Sequence, residues 1–322
     1  MEIKNSIYGD TVIEEPVLVR LINCRPVQRL KGIGQSGAAK FVFKGRVVSR
    51  YDHSIGVMLL LRRLGASTEE QIAGLLHDIP HTAFSHVIDY VFPNTNQDFH
   101  EQYHEKILLN SEIPKILEEY GFDVDRILDD KNFQLLERDL PELCADRIDY
   151  TFQDMTALDI CSEKVRHFLS HLINHENHIV FDSEKVAVDF ALQFIKLDSE
   201  IWAHPRGVAS YIILADALKI ALKEKIITKD DLFLDDEGVL KILKDSNNPQ
   251  ILEKLDKLTT ELEIELHSED YHVHNKPKLR YVDPHFMTSQ DLKKVSDVSS
   301  EFNKALDVHR AEIEKGFYIK IK

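Results

Sequence analysis

Apolar and polar positions follow a helical period over much of the chain. Ile72, Leu75, Leu76 and Ile79 fall at i, i+3, i+4 and i+7, the spacing that lines one face of an α-helix. Ser67 with Glu70 reads as a capping box at its start, and Pro80 is expected to end it. A second amphipathic segment follows at once, with Phe84, Val87, Ile88 and Val91 as its apolar stripe and Thr82, Ser85, His86 and Asp89 as its polar one. A third is predicted from Asp139-Leu140-Pro141, where Asp suits an N-cap and Pro the first turn. Its stripe of Cys144, Ile148, Phe152 and Met155 faces the core.

The helical pattern runs from about His53 to Ala221, and the flanks differ from it. From Ile3 to Gln35 short apolar runs alternate with turn residues, and Phe41-Val42-Phe43 with Val47-Val48 around Lys44-Gly45 reads as a hairpin. After about Lys225 come charged helices, a strand pair around HVHNKPKLRYVDPHF and a final strand in GFYIKIK. The expected architecture is mainly α: a helical core with a short N-terminal hairpin over residues 1–224, and a small α+β appendage packed on it over residues 225–322.

Composition narrows the function classes. With 43% hydrophobic and 30% charged residues among 322, the chain buries a real core and is not disordered. The longest uninterrupted apolar run is about Val57–Leu61, far short of the roughly 20 residues that cross a bilayer, so a cytoplasmic protein without membrane attachment is expected. A net charge of −15 speaks against stable nucleic-acid binding, which needs clustered Lys and Arg. Three cysteines without a CxxC pair suggest neither a disulfide framework nor a thiolate metal site. No repeat or long linker is evident, and assembly into a homo-oligomer stays open.

The histidines carry the chemistry. Of 16, five lie at 77, 81, 86, 100 and 104. His77-Asp78 at a helix end can present imidazole and carboxylate to one cation. With His53 from the preceding helix and Asp146 from the later one, the set reaches two His and two Asp, enough for a divalent ion with open positions. Taken singly, His53 would more often be a satisfied core histidine, and Asp146 reads as a surface charge or a partner of Arg147. Asp146, Asp149, Tyr150 and Gln153 share one helix face, as i, i+3, i+4 and i+7 positions do.

SRYDHSIGV, GLLHDIPHTAFSH, DFHEQYHEK and ADRIDYTFQD occur in that order, and together they resemble the HD-domain metal-dependent phosphohydrolases, within them the deoxynucleoside triphosphate triphosphohydrolase branch. The resemblance runs from about Ile3 to about Ala221. It implies that His53, His77, Asp78 and Asp146 hold a divalent ion (Mn, Fe, Co, Ni, Zn or Mg), and a second ion could join through His81 and His86. It implies a nucleotide substrate, with His100 as catalytic histidine paired to Asp89, and His81, His86 and Arg50 toward the phosphates. Gln35 falls where the branch reads the 3′-hydroxyl, and Tyr150, Asp154 and Trp202 fall around the sugar.

The chain departs from the branch at two phosphate-gripping positions. Pro205 stands where a lysine is expected, with Arg206 one step on, and Lys196 is the nearest cation to a missing arginine. Hydrolysis of deoxynucleoside triphosphates to deoxynucleoside and triphosphate is the leading expectation. A nucleotidase or phosphodiesterase acting on mono- or cyclic nucleotides is the alternative, and a non-catalytic nucleotide-binding module is a third reading.

Overall fold

The computed structural model describes residues 1–92, 103–160, 162–289 and 291–322. Its centre is the helix Arg50–Arg63, whose stretch from Ile55 to Leu61 is buried throughout. Ser49 caps it in a reciprocal box with Asp52. The helices Thr68–Leu76 and Ala145–Ala157 pack against it. Gly74 is the point of close approach, because a Cβ there would stand 2.5 Å from Leu61.

Two apolar clusters result. The first surrounds the central helix and takes in Phe152, Phe168, Phe190 and Phe194. The second surrounds the helix Pro205–Lys223 and takes in Phe84, Val87 and Ile88. Residues after 225 serve both: Phe286 and Phe302 enter the first, Ile251 and Ile319 the second. Among the described residues, no helix is long and apolar enough to cross a membrane.

The mainly helical architecture stands, with several elements displaced from their expected places. The hairpin lies at Glu2–Ile3 with Thr11–Val12, whereas Gly37–Phe41 is a 3₁₀ turn followed by loop. The helix expected to run to Pro80 ends at Leu76. Ser67 caps it, but Glu70 completes no box, because its carboxylate accepts N–H groups of Leu135 and Leu136 instead. The next helix spans only Val87–Val91, since Phe84 and Ser85 adopt left-handed φ of 61° and 50°. The third begins at Ala145, with Ala145 N–H bonded to Leu135 O at 2.8 Å, so a distant segment supplies its cap.

Two strands, Leu172–His175 and His178–Phe181, interrupt the stretch read as helical. The expected C-terminal pair does not pair with itself. Val273–Asn275 joins the final strand Phe317–Ile321, whereas His285–Met287 joins Leu292–Lys294 and meets Phe181 in parallel.

Candidate metal centre

Three helix ends bring the predicted metal-binding residues together. His53 projects from the first turn of Arg50–Arg63, His77 and Asp78 follow the last turn of Thr68–Leu76, and Asp146 sits in the first turn of Ala145–Ala157. One ligand atom each from His53, His77 and Asp146 lies within 4.8 Å of the others. His53 Nε2 is 3.3 Å from His77 Nε2 and 2.9 Å from Asp146 Oδ1. Asp78 closes the group, at 3.9 Å from His53 Nε2 and 3.5 Å from His77 Nε2.

The other ring nitrogens are already committed. His53 Nδ1 faces Asp149 Oδ2 at 2.7 Å, and His77 Nδ1 faces the Gly74 carbonyl at 2.7 Å. Both partners are acceptors, so each Nδ1 carries a proton and the Nε2 of each ring is left facing Asp146. Converging lone pairs and carboxylates repel unless positive charge lies among them. Burial alone would lower the His53 imidazolium, yet hydrogen bonds to Asp146 and Asp149 raise its pKa to about 10. Burial likewise opposes ionisation of Asp78, but the charges of Arg50, His77 and His81 hold it well below the usual carboxylate range. Two imidazoles and two carboxylates converging in this way fit a divalent ion. Glu137, Cys144 and Asp146 also cluster, but Arg147 already supplies a cation there, at 2.8 Å from Glu137 and 2.9 Å from Cys144 Sγ.

The remaining predicted residues spread around a cavity of about 930 Å³ that opens on this group. Arg50 is buried, donating to both oxygens of Asp78 at 3.0 Å and to Ser85 Oγ at 3.0 Å. His81 Nε2 is 3.2 Å from Asp78, its ring meets His86 edge to face, and His86 Nδ1 is 3.2 Å from Asp89. Gln35, Tyr150, Asp154 and Trp202 also line the cavity. Trp202 Nε1 donates to Asp154 at 2.7 Å and its indole meets the Tyr150 ring edge to face. The buried side-chain oxygen of Gln35 has no hydrogen-bond partner among the described residues. Arg206 points elsewhere, donating to the Thr260 carbonyl and lying over Phe43, and Lys196 is an exposed partner of Glu200. His100 lies outside the described residues.

Sequence reasoning placed Asp149 on the Asp146 face without giving it a role, and missed Tyr8, Arg29 and Asp236, which also hold this arrangement. Asp149 orients His53 and is itself bonded by the Tyr8 hydroxyl at 2.6 Å. Arg29 donates to the carbonyls of Ile79 and His81 at 2.7 and 2.8 Å, fixing the loop after Asp78. Asp236, from the C-terminal part, accepts the N–H groups of Gly34 and Phe84 and pairs with Lys40.

Residues 50–153 match the HD domain family, and the four converging side chains all lie within that span. Over 272 residues the chain is 30% identical to the metal-dependent phosphohydrolase cns2 of Cordyceps militaris, covering 80% of this chain and 77% of that protein. The chain belongs to the HD-domain metal-dependent phosphohydrolases. It is also 42% identical over 323 residues to YdhJ, an uncharacterized protein of Bacillus subtilis, covering 100% of this chain and 99% of that one. A shorter match links this HD-domain phosphohydrolase to the human deoxynucleoside triphosphate triphosphohydrolase SAMHD1, 34% identical over 142 residues, or 37% of this chain and 22% of that protein. Its fold is shared with a crystal structure of a phosphohydrolase from Bacteroides thetaiotaomicron, at a TM-score of 0.71 and 18% identity over 99% and 98% of the two chains.

Proposed function

We propose that this phosphohydrolase converts deoxynucleoside triphosphates to deoxynucleoside and inorganic triphosphate. The observation that carries the reading is a polar and aromatic corner sharing one cavity with the metal-binding group. Tyr150 and Trp202 form an apolar wall for a sugar, Asp154 offers a carboxylate to a sugar hydroxyl, and the unpartnered oxygen of Gln35 can accept another.

His53, His77, Asp78 and Asp146 would hold the divalent ion, which supplies Lewis acidity and lowers the pKa of water toward neutrality. Arg50, His81 and His86 line the cavity and would offset charge developing on the nonbridging phosphate oxygens. Asp78 holds Arg50 in place for this, as does Ser85. His100 is the proposed proton donor to the leaving oxygen, with Asp89 orienting it. Asp149 keeps the His53 proton on Nδ1.

A second reading has its own support. Neither Arg206 nor Lys196, the cations nearest the two departing positions, lines the cavity, which favours a mono- or cyclic nucleotide over a triphosphate. Ion chromatography of products from a panel of dNTPs, NTPs, monophosphates and cyclic nucleotides separates the two. Intact triphosphate released from dNTPs supports the first reading. Orthophosphate from monophosphates, or opening of cyclic nucleotides, with dNTPs untouched, replaces it with the second.

A further inference from the structure

The cavity is richly acidic, and most cations on its wall are already engaged. Arg50 is held by Asp78 at 3.0 Å, Lys40 by Asp236 at 2.5 Å, Arg147 by Glu137 at 2.8 Å and Arg46 by Asp52 at 3.6 Å. Lys44 and Lys278 are exposed side chains at the rim. Arg280 differs from all of these. It is only part-exposed and lines the cavity, and its guanidinium has no hydrogen bond or ion pair among the described residues.

Its backbone, by contrast, is fixed. Residues 276–281 cross from the strand Val273–Asn275, which is paired with the final strand, to the buried Val282. Arg280 N–H donates to Asp198 Oδ2 at 3.1 Å, and the same oxygen is met by His309 Nε2 at 2.8 Å. Asp198 is fully buried at the start of the π-helical turn Asp198–Trp202, the turn that delivers Trp202 to the cavity. Just beyond, Asp283 N–H bonds to Pro141 O at 2.9 Å and its carboxylate accepts from Ser296. The strap is therefore tied down on both sides of a side chain that stays uncommitted.

The Arg280 charge reaches three helices. Burial raises the phenol of Tyr150, Asp146 adds to the rise, and Arg280 opposes it. At Tyr90 burial again raises the phenol and Arg280 is the leading opposition. At Tyr211 burial and Tyr90 raise the phenol, against Arg50 and Arg280.

We propose that Arg280, carried on the 276–281 strap, is a substrate-binding residue that grips the phosphate groups distal to the metal centre. A guanidinium forks onto two phosphate oxygens at once. Lining the same cavity as Arg50, whose charge is already matched by Asp78, it supplies attraction that the metal-binding end alone does not extend to the rest of a polyphosphate. The assignment rests on the phosphate-ester reading of the cavity, and it names the C-terminal part of the chain as a contributor to substrate affinity.

The test uses the full-length, metal-loaded enzyme with Arg280→Ala, Arg280→Lys and, as a rim control, Lys278→Ala. Michaelis constants are measured for the nucleotide the wild type hydrolyses best, with inhibition by inorganic tripolyphosphate and by orthophosphate alongside. Arg280→Ala is expected to raise KM and the tripolyphosphate inhibition constant about 10- to 100-fold, the range of a lost charged hydrogen bond. Its melting temperature should match the wild type, because the side chain loses no partner among the described residues. Arg280→Lys should recover part of the affinity, and Lys278→Ala should change it less than about threefold. Both constants within twofold of wild type in Arg280→Ala would overturn the assignment. The wild-type products decide separately whether the substrate is a triphosphate, so a monophosphate product pattern alters that reading and leaves the Arg280 comparison standing.

Discussion

Asp149 stands 2.7 Å from His53 Nδ1 with its carboxylate wholly buried, and the Tyr8 hydroxyl donates to its other oxygen at 2.6 Å. The pair fixes which nitrogen of His53 keeps its proton and which faces Asp146. Removing such an orienting carboxylate typically weakens metal binding 10- to 100-fold. Asp149→Ala is expected to do this and to destabilise the fold by about 1–3 kcal/mol, because the Tyr8 hydroxyl is left without an acceptor. Asp149→Asn keeps one acceptor oxygen for His53 Nδ1–H and turns its amide N–H to the Tyr8 hydroxyl, which can accept, so it should lose less of each. Competition with a chromogenic chelator and urea unfolding read the two effects.

Gly56 makes room for that carboxylate. A Cβ on Gly56 would fall 2.0 Å from Asp149 Oδ1, so the Asp149 side chain would have to shift. Gly56→Ala should cost roughly 1–3 kcal/mol of stability and also weaken metal binding, by pushing Asp149 off His53. Gly65→Ala is the contrasting case. No atom lies within 4 Å of its Cβ, but φ is +77°, so it should lose stability through backbone strain while metal affinity stays unchanged.

Asp236 latches two loops that lie 202 and 152 residues away in sequence. It accepts from Gly34 N–H at 2.9 Å and Phe84 N–H at 2.6 Å, and pairs with Lys40 at 2.5 Å, with 1% exposure. These loops carry Gln35 and Ser85, and Ser85 holds Arg50. Asp236→Ala strands two amide donors and a cation, so a loss of about 3–5 kcal/mol is expected, with a raised KM. Asp236→Asn should be milder on both counts in chemical unfolding and steady-state kinetics.

Asp154 gives a pH dependence of known sign. Burial pushes its carboxyl from 3.8 up to about 6, against the pull of Trp202 N–H and the charges of His53 and Arg50. The folded state therefore holds this proton more tightly than the unfolded chain does. The resulting stabilisation is complete below about pH 4 and is lost as pH rises through 6. A shift of this size corresponds to about 3 kcal/mol. Asp154→Asn should be more stable than wild type at pH 7.5, equal to it near pH 4, and less active, since the amide no longer offers a carboxylate to substrate. Urea unfolding of both proteins at the two pH values checks the difference.

Much of the chemistry was legible because it is local in sequence. His77-Asp78 are adjacent, and the helical period already placed Asp146, Asp149 and Tyr150 on one face. What escaped were groups whose partners lie far away. Arg29 binds carbonyls 50 residues on, and Asp236 binds amides 152 and 202 residues back. Nothing in their own neighbourhoods distinguishes them from surface charges. Phe84 and Ser85 fit a helical stripe by period, but the bonds from Phe84 to Asp236 and from Ser85 to Gly34 hold them in left-handed backbone. The Leu172–Phe181 hairpin had a readable signal. Glu176 and Asn177 both take positive φ, at 51° and 62°, as a two-residue hairpin turn of this kind demands and asparagine favours.

The central claim is that His53, His77, Asp78 and Asp146 jointly bind the ion on which phosphate-ester hydrolysis depends. Elemental analysis of the protein as purified, beside Asp146→Ala and His77→Ala, with nucleotide hydrolysis assayed on the same samples, tests it most directly. Bound divalent metal and hydrolysis are expected in the wild type and the loss of both in each variant, with the fold retained by circular dichroism. Variants that keep wild-type metal content, or that hydrolyse nucleotide at the wild-type rate without it, would contradict it.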